Sequence, residues 1–181
     1  MNKLKAALPQ HKDEILVFGF RGNITDSKKF ITDGHVMFLA SAVPEGMEFD
    51  DGHSFFSKPV SEKRIQESWD TAEKEEQVPA HFIGCGMCDT LEVVAVLRDD
   101  RGRFTVFNPN ILKLTLVATQ ADSLGTSSSD DYYKKMTVFF RDGKMVGAAM
   151  GMRYVVSNRA DFDSDLKDYD LTGPAIPLSE V

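Results

Sequence analysis

Short apolar runs separated by turn residues dominate the hydrophobic pattern of this chain. In residues 30–40, apolar positions lie on both sides of Asp33-Gly34, a dipeptide that favours tight turns because glycine accepts positive φ. Residues 135–156 repeat this arrangement around Asp142-Gly143, and residues 90–106 contain a third example. The pattern therefore predicts three β-hairpins.

Residues 61–77 carry the clearest helical pattern. Ser61 is a residue type that caps helix N-termini, and Ile65, Trp69 and Ala72 form a narrow apolar stripe at helical spacing. Glu and Lys residues crowd the other faces. We therefore expect a surface helix that packs by one side.

Three further segments have simple local patterns. Residues 1–8 are typical of a short helix that ends at Pro9, and the apolar run 15–20 is typical of a buried strand. Residues 121–131 are rich in Ser and contain Gly125, which predicts a flexible loop.

The stretch after Phe107 gives two conflicting signals. Asn108-Pro109 is a helix start signal, because Asn caps helices and Pro suits the first helical position. However, Leu112, Leu114 and Leu116 alternate as in a strand. The local pattern alone leaves this stretch open.

At 181 residues the chain is expected to form an α+β domain with an antiparallel, hairpin-rich sheet and a few helices. We place this domain at residues 1–156, with an insertion at about 41–89, and an acidic tail at 157–181. The net charge of −7 argues against a uniformly basic nucleic-acid-binding surface. No apolar run approaches a membrane span and no secretory signal is present, so we expect a cytoplasmic protein without a membrane partner.

Three short motifs follow one another along the chain: Thr32-Asp33-Gly34-His35, the stretch 107–112 with its Asn-Pro pair, and Met150-Gly151-Met152-Arg153. They resemble, in the same order, motifs of the bacterial-type DNA sliding clamps (the polymerase III beta-clamp family). That family has Thr-Asp-Gly-His, a helix opening with Asn-Pro, and a Met-Pro-Met-Arg strand. The resemblance implies a sliding-clamp-like domain and favours a helix at residues 110–118.

In sliding clamps the first and last of these motifs line one apolar groove that captures partner peptides. The resemblance therefore implies that this chain docks short apolar peptides of replication proteins. Methionine suits such a groove because it is unbranched and polarisable, and His and Arg can orient a peptide at the rim. The implied groove residues are Thr32, Gly34, His35, Val36, Met37, Met150, Met152 and Arg153.

The resemblance also implies contact with duplex DNA. A chain of this length supplies one clamp domain, so a ring around DNA requires a homo-oligomer arranged head to tail; the alternative is a monomer that keeps the fold without encircling DNA. Its phosphate contacts would be independent of base sequence and sensitive to salt. The lysines that would face the DNA are Lys3, Lys5, Lys12 and Lys113; the alternative is that they are ordinary solvated charges.

His81, Cys85 and Cys88 suggest a different chemistry. Two thiolates and an imidazole match three ligands of a tetrahedral zinc site, and His53 would supply the fourth. A metal would stabilise an insertion that has little apolar mass of its own. A redox dithiol and two thiols without a ligand are the alternatives, and apart from zinc we expect no cofactor.

Motifs of common catalytic sites are missing from the sequence. None of the four histidines is followed two places on by Glu, as in nucleobase deaminases, and neither a Walker-type phosphate loop nor a Gly-x-Ser-x-Gly elbow is present. We therefore expect a non-enzymatic binding module that acts in DNA replication or in its subversion by a mobile element. The alternatives are a small zinc-stabilised regulatory protein and an acidic DNA mimic that acts as an inhibitor.

Overall fold

A nine-stranded sheet forms the centre of the computed structural model, which describes residues 2–3, 23–24, 27, 29–32, 34–44, 61–87, 93–128, 136–150 and 169–180. Of residues 2–3, 23–24 and 150 only the backbone is described. The strands in chain order are β1 Asn2–Lys3, β2 Asn23–Ile24, β3 Phe30–Thr32, β4 Val36–Leu39, β5 Gln77–Met87, β6 Val93–Asp99, β7 Phe104–Phe107, β8 Ser123–Ser127, β9 Met136–Arg141, β10 Lys144–Met150 and β11 Tyr169–Asp170. The described helices are α1 Glu62–Lys74, α2 Pro109–Thr119 and two 3₁₀ turns, Ala40–Ala42 and Leu178–Glu180.

The strand order in the large sheet is β2-β3-β4-β10-β9-β8-β5-β6-β7, and all neighbouring strands are antiparallel. Strands β1 and β11 form a separate parallel pair. The predicted α+β class with a hairpin-rich antiparallel sheet is therefore confirmed. The likeness to a sliding-clamp domain stays a prediction.

Alternating side chains divide the core between the two faces of the sheet. Val36 and Phe38 point to the face that α2 covers, whereas Met37 points to the face that α1 covers. Large aromatic rings fill the α2 side: Phe38, Phe82, Phe107 and Phe139 are at most 1 % exposed. The α1 side has a smaller apolar cluster, which includes Phe30, Met37 and Trp69.

Helix α1 matches the prediction for residues 61–77. The Ser61 hydroxyl accepts a hydrogen bond from the backbone N–H of Arg64 at 3.3 Å, which caps the first turn. Ile65, Trp69 and Ala72 are its buried residues. The Trp69 ring packs against Phe30 with centroids 5.0 Å apart and planes tilted by 48°.

The stretch that the local pattern left open is helix α2. The Asn108 side chain accepts from the backbone N–H of Asn110 at 2.9 Å, and Pro109 occupies the first turn. Helix α2 buries a wide face, so Leu112, Leu114 and Leu116 are all buried although they alternate. The capping pair, rather than the alternation, indicated the correct structure.

The loop predicted at residues 121–131 is wrong for its first half, because Ser123–Ser127 is strand β8, between β5 and β9. Two of its polar side chains bond to carboxylates. The Thr126 hydroxyl donates to Asp99 Oδ2 at 3.3 Å, and the Ser127 hydroxyl donates to Glu75. A Ser- and Thr-rich segment can therefore form an inner strand of the sheet.

The helix predicted at residues 1–8 is wrong at its described positions, because Asn2 and Lys3 pair with Tyr169 and Asp170 as strand β1. That pairing joins distant parts of the chain, which a local pattern does not indicate. The remaining residues of that prediction and the strand predicted at 15–20 lie outside the described residues.

The segment 169–180, which the sequence assigned to an acidic tail, packs against the sheet. Tyr169 and Leu171 contact the apolar cluster of Ile83, Val94, Val96 and Val106. The backbone N–H of Ile176 donates to the Phe82 carbonyl at 2.8 Å, and Ile176 packs against the cluster on the other face. This segment therefore reaches from one face of the sheet to the other.

Candidate functional site

A pocket lies between the β3–β4 turn, the end of β10 and helix α1. Its volume is about 220 Å³, which is below the range of sites for drug-sized ligands and suits one anchoring side chain. We call it the hairpin pocket. It is lined by Thr32, Gly34, His35, Val36, Met37, Arg64, Ile65, Ser68, Met136, Ala148 and Ala149.

Hydrogen bonds of Thr32 fix the turn at the edge of the hairpin pocket. The Thr32 hydroxyl donates to the Val36 carbonyl at 2.7 Å and accepts from the backbone N–H of Gly34 at 2.9 Å. Gly34 has φ of 88°, a conformation in which a side chain would be strained. His35 follows it and is exposed. The turn thus holds His35 at the mouth of the pocket.

Strand pairing and one helix face form the other walls. Met37 lies opposite Ala148, and Val36 lies opposite Ala149, in the β4–β10 ladder. Only Ala148 shares the face of Met37, and its small side chain leaves space beside Met37, which belongs to the same apolar cluster as Ile65 of α1. Three residues of α1 line the pocket: Arg64, Ile65 and Ser68. Ser68 lies four places after Arg64 and three after Ile65, so it neighbours both on the helix surface.

The structure brings the described members of the predicted peptide groove together. Thr32, Gly34, His35, Val36 and Met37 all line the hairpin pocket. The backbone of Met150 continues β10 directly from Ala149 and pairs with Met136. Met152, Arg153 and Asp33 lie outside the described residues. The peptide-binding role of this set stays a prediction.

Sequence reasoning missed the α1 side of the pocket. Ile65 was identified as a core position, but Arg64 and Ser68 were not considered as site residues. The apolar stripe of α1 indicated which face packs inward, so the residues that flank it at the rim could have been identified from helical spacing. The β3–β4 turn lies beside this stripe in the fold but is distant from it in the sequence, so no local pattern indicates that the two meet.

The structure does not bring His81 and Cys85 together as zinc ligands. Ala80 and Phe82 belong to the same apolar cluster as Cys85, so His81, which lies between them in β5, projects from the opposite face. His81 is exposed, and its Nε2 lies 2.9 Å from Asp100 Oδ1. His53 and Cys88 lie outside the described residues. Among the residues that are described, no group of three His, Cys, Asp or Glu side chains is placed to hold a metal ion.

The lysines predicted to face DNA are only partly described. Lys113 is half-buried on α2 and is the one charged residue in the sequence of that helix. The backbone of Lys3 is in β1, and Lys5 and Lys12 lie outside the described residues. Contact with DNA therefore stays a prediction.

A second, larger cavity of about 760 Å³ lies between α1 and the β9–β10 hairpin. Several polar groups in its wall bond to other protein groups. Lys29 Nζ donates to Gln66 Oε1 at 2.8 Å, and Arg141 Nη1 donates to the carbonyls of Ala42 and Thr119 at 3.1 and 3.2 Å. These contacts tie α1 and the end of α2 to the sheet.

The buried carboxylate of Asp99 has a structural role. Its Oδ1 accepts from the backbone N–H groups of Arg101 and Arg103 at 3.0 and 2.8 Å. Its Oδ2 accepts from Arg103 Nε at 2.7 Å and from the Thr126 hydroxyl at 3.3 Å. Both oxygens are thus occupied, which stabilises the β6–β7 turn and joins it to β8.

No family model, curated protein or solved structure that we compared with this chain matches it. Neither α1 nor α2, the two α-helices in the described part of the chain, is long and apolar enough to cross a membrane.

Proposed function

We propose that this protein is a non-enzymatic binding module that docks an apolar side chain of a partner's short peptide in the hairpin pocket. The observation that carries the proposal is the convergence of Thr32, Gly34, His35, Val36 and Met37 with α1 around one small pocket. Apolar walls with a polar rim are the arrangement found at peptide-binding interfaces. The likeness to sliding clamps supports replication proteins as the source of the partner peptide.

The size and chemistry of the walls favour an aliphatic or aromatic anchor. Met37 and Met136 are flexible and polarisable, so they can adapt to anchors of different shape. Ile65 and Ala148 are buried and apolar. Because desolvation of one large apolar side chain contributes about 1.5–3 kcal/mol, the affinity of a short peptide is expected to be modest.

Substitution at the rim tests the proposal without disturbing the core. Ser68 is exposed and lines the pocket, so Ser68→Trp should fill the mouth while α1 stays folded. Glu67→Trp, also exposed and not among the lining residues, is the matched control. Peptides are first selected from a random display library on the wild-type protein, and their affinities are then measured by fluorescence polarisation.

We expect the selected peptides to share an apolar residue. We also expect Ser68→Trp to weaken their binding about tenfold or more, and Glu67→Trp to change it by about twofold or less. Selection of peptides without an apolar residue, or equal binding by the wild-type protein and Ser68→Trp, would exclude the hairpin pocket as the docking site.

A further inference from the structure

We propose that the partner peptide carries an acidic side chain next to its apolar anchor, and that Arg64 recognises it. This inference rests on the proposed function and specifies its ligand. Among the described residues that line the hairpin pocket, the side chains that can be charged are Arg64 and His35, and none is Asp or Glu. Within this described lining the pocket therefore carries a cationic side chain, on a chain whose net charge is −7.

Three of the four acidic residues of α1 have partners other than Arg64. Glu67 pairs with Lys63 at 3.8 Å, Glu62 accepts from the backbone N–H of Ser27 at 3.3 Å, and Asp70 accepts from Gln66. None of the ion pairs in the described part of the chain involves Arg64. Its guanidinium therefore lies at the pocket without a carboxylate from these residues.

An acidic residue adjacent to the anchor suits the reach of Arg64. Neighbouring Cα atoms in a peptide are about 3.8 Å apart, so a carboxylate beside the anchor stays near the mouth of the pocket. A guanidinium can bind both carboxylate oxygens through two parallel N–H donors, which a lysine cannot do. Arg64 thus adds specificity to a pocket that otherwise selects only for apolar character.

A side-chain carboxylate fits better than a peptide's C-terminal carboxylate. Terminal carboxylates are usually held by several backbone N–H groups in a turn. In this turn the backbone N–H of Gly34 already donates to the Thr32 hydroxyl at 2.9 Å. The long, exposed side chain of Arg64 is suited instead to an Asp or Glu that approaches from solvent.

Three synthetic peptide pools test the inference. The first two are blocked at both ends, with the sequence Gly-Ala-X-Z-Ala-Gly, where Z is a mixture of Leu, Ile, Met and Phe, and X is Asp in one pool and Asn in the other. The third pool, Gly-Ala-Asn-Z, has a free C-terminal carboxylate. Retention on the immobilised full-length protein is measured by mass spectrometry.

The variants are Arg64→Glu and its matched control Lys63→Glu. Both change the net charge equally, and Lys63 is on the same helix with 85 % of its side chain exposed, but it does not line the pocket. We expect the wild-type protein to retain the Asp pool about three- to tenfold better than the Asn pool. Arg64→Glu should remove this preference, and Lys63→Glu should keep it.

Each other result overturns a defined part of the proposal. Equal retention of the Asp and Asn pools, lost in Ser68→Trp, would refute the role of Arg64 and leave the docking pocket intact. Preferential retention of the third pool would show that the recognised group is a terminal carboxylate and not an acidic side chain. Retention of all pools by Ser68→Trp at the wild-type level would refute the docking pocket itself, and with it this inference.

Discussion

Helix α1 is held on the sheet mainly by Trp69, so truncation of this residue should release the helix and open the hairpin pocket. Trp69 is 5 % exposed, and its ring packs against Phe30. Loss of a buried Trp side chain costs about 3–5 kcal/mol. The other buried residues of α1 are Ile65 and Ala72, whose side chains are both smaller than that of Trp69.

The effect of Trp69→Ala should be local. An isolated helix shorter than about 12–15 residues is marginal in water, so the 13 residues of α1 depend on their packing. The main core lies on the opposite face of the sheet, around Phe82 and Phe139, and does not include Trp69. We therefore expect the sheet to stay folded while α1 detaches.

Hydrogen exchange measured by mass spectrometry provides the assay. In Trp69→Ala, amide exchange in α1 should accelerate about a hundredfold or more, whereas exchange in β6 should change little. Trp69→Phe keeps a ring against Phe30 and should have a much smaller effect. Peptide binding should weaken in proportion to the fraction of molecules in which α1 is detached. This reasoning would be refuted if amides of α1 exchanged as slowly in Trp69→Ala as in the wild type. It would also be refuted if exchange in β6 accelerated as much as exchange in α1.

Two further predictions concern carboxylates. Asp99→Ala removes the acceptor of Arg103 Nε and of two backbone N–H groups, whereas Arg103 Nη1 keeps the Ser128 carbonyl, so it should lower the free energy of unfolding in urea by about 2–4 kcal/mol; the exposed control Asp100→Ala should cost less than about 1 kcal/mol, and equal losses would contradict this prediction. The backbone N–H of Asp142 and the Ser123 hydroxyl lower the pKa of Asp122 below its usual 3.8. Its contribution to stability is therefore present above that pH and is lost as pH falls through the lowered pKa, so the urea midpoints of the wild type and Asp122→Asn should converge in acid. A difference that does not depend on pH would exclude this linkage.

Local chemistry was sufficient to predict the elements that depend on neighbouring residues. Ser61 caps α1, and the stripe at Ile65, Trp69 and Ala72 is buried as the helical spacing indicated. The three predicted hairpins correspond to β3–β4, β6–β7 and β9–β10, whose strands pair with their neighbours in sequence. In these elements the turn residues and the apolar alternation favour the same structure.

Strand β8 shows why other elements could not be predicted. Its composition is typical of a loop, because Ser and Thr side chains can bond to the nearby backbone and Gly is conformationally free. In the folded protein the partners of Thr126 and Ser127 are Asp99 and Glu75, far away in the sequence. A local pattern contains no information about such partners, so the burial of β8 emerges only in the assembled sheet.

The candidate site likewise contains residues that could be predicted from the sequence and residues that could not. The β3–β4 turn was predicted as a hairpin and as part of a peptide groove, and its described residues Thr32, Gly34, His35, Val36 and Met37 line the hairpin pocket. Arg64 and Ser68 were missed because their position depends on how α1 packs across the sheet. Residues of a pocket that come from one turn can be identified from sequence, whereas those contributed by a distant helix require the fold.

The pairing of β4 with β10 has a consequence for the synthesis of this protein. Val36 and Ala149 are adjacent in space although more than a hundred residues of chain separate them. During translation β4 therefore leaves the ribosome long before β10. Pairing of the two strands must also close a long loop of chain, which is slow. A ligand that requires both strands would not bind nascent or truncated chains that lack β10. Its binding would therefore show that translation has passed β10.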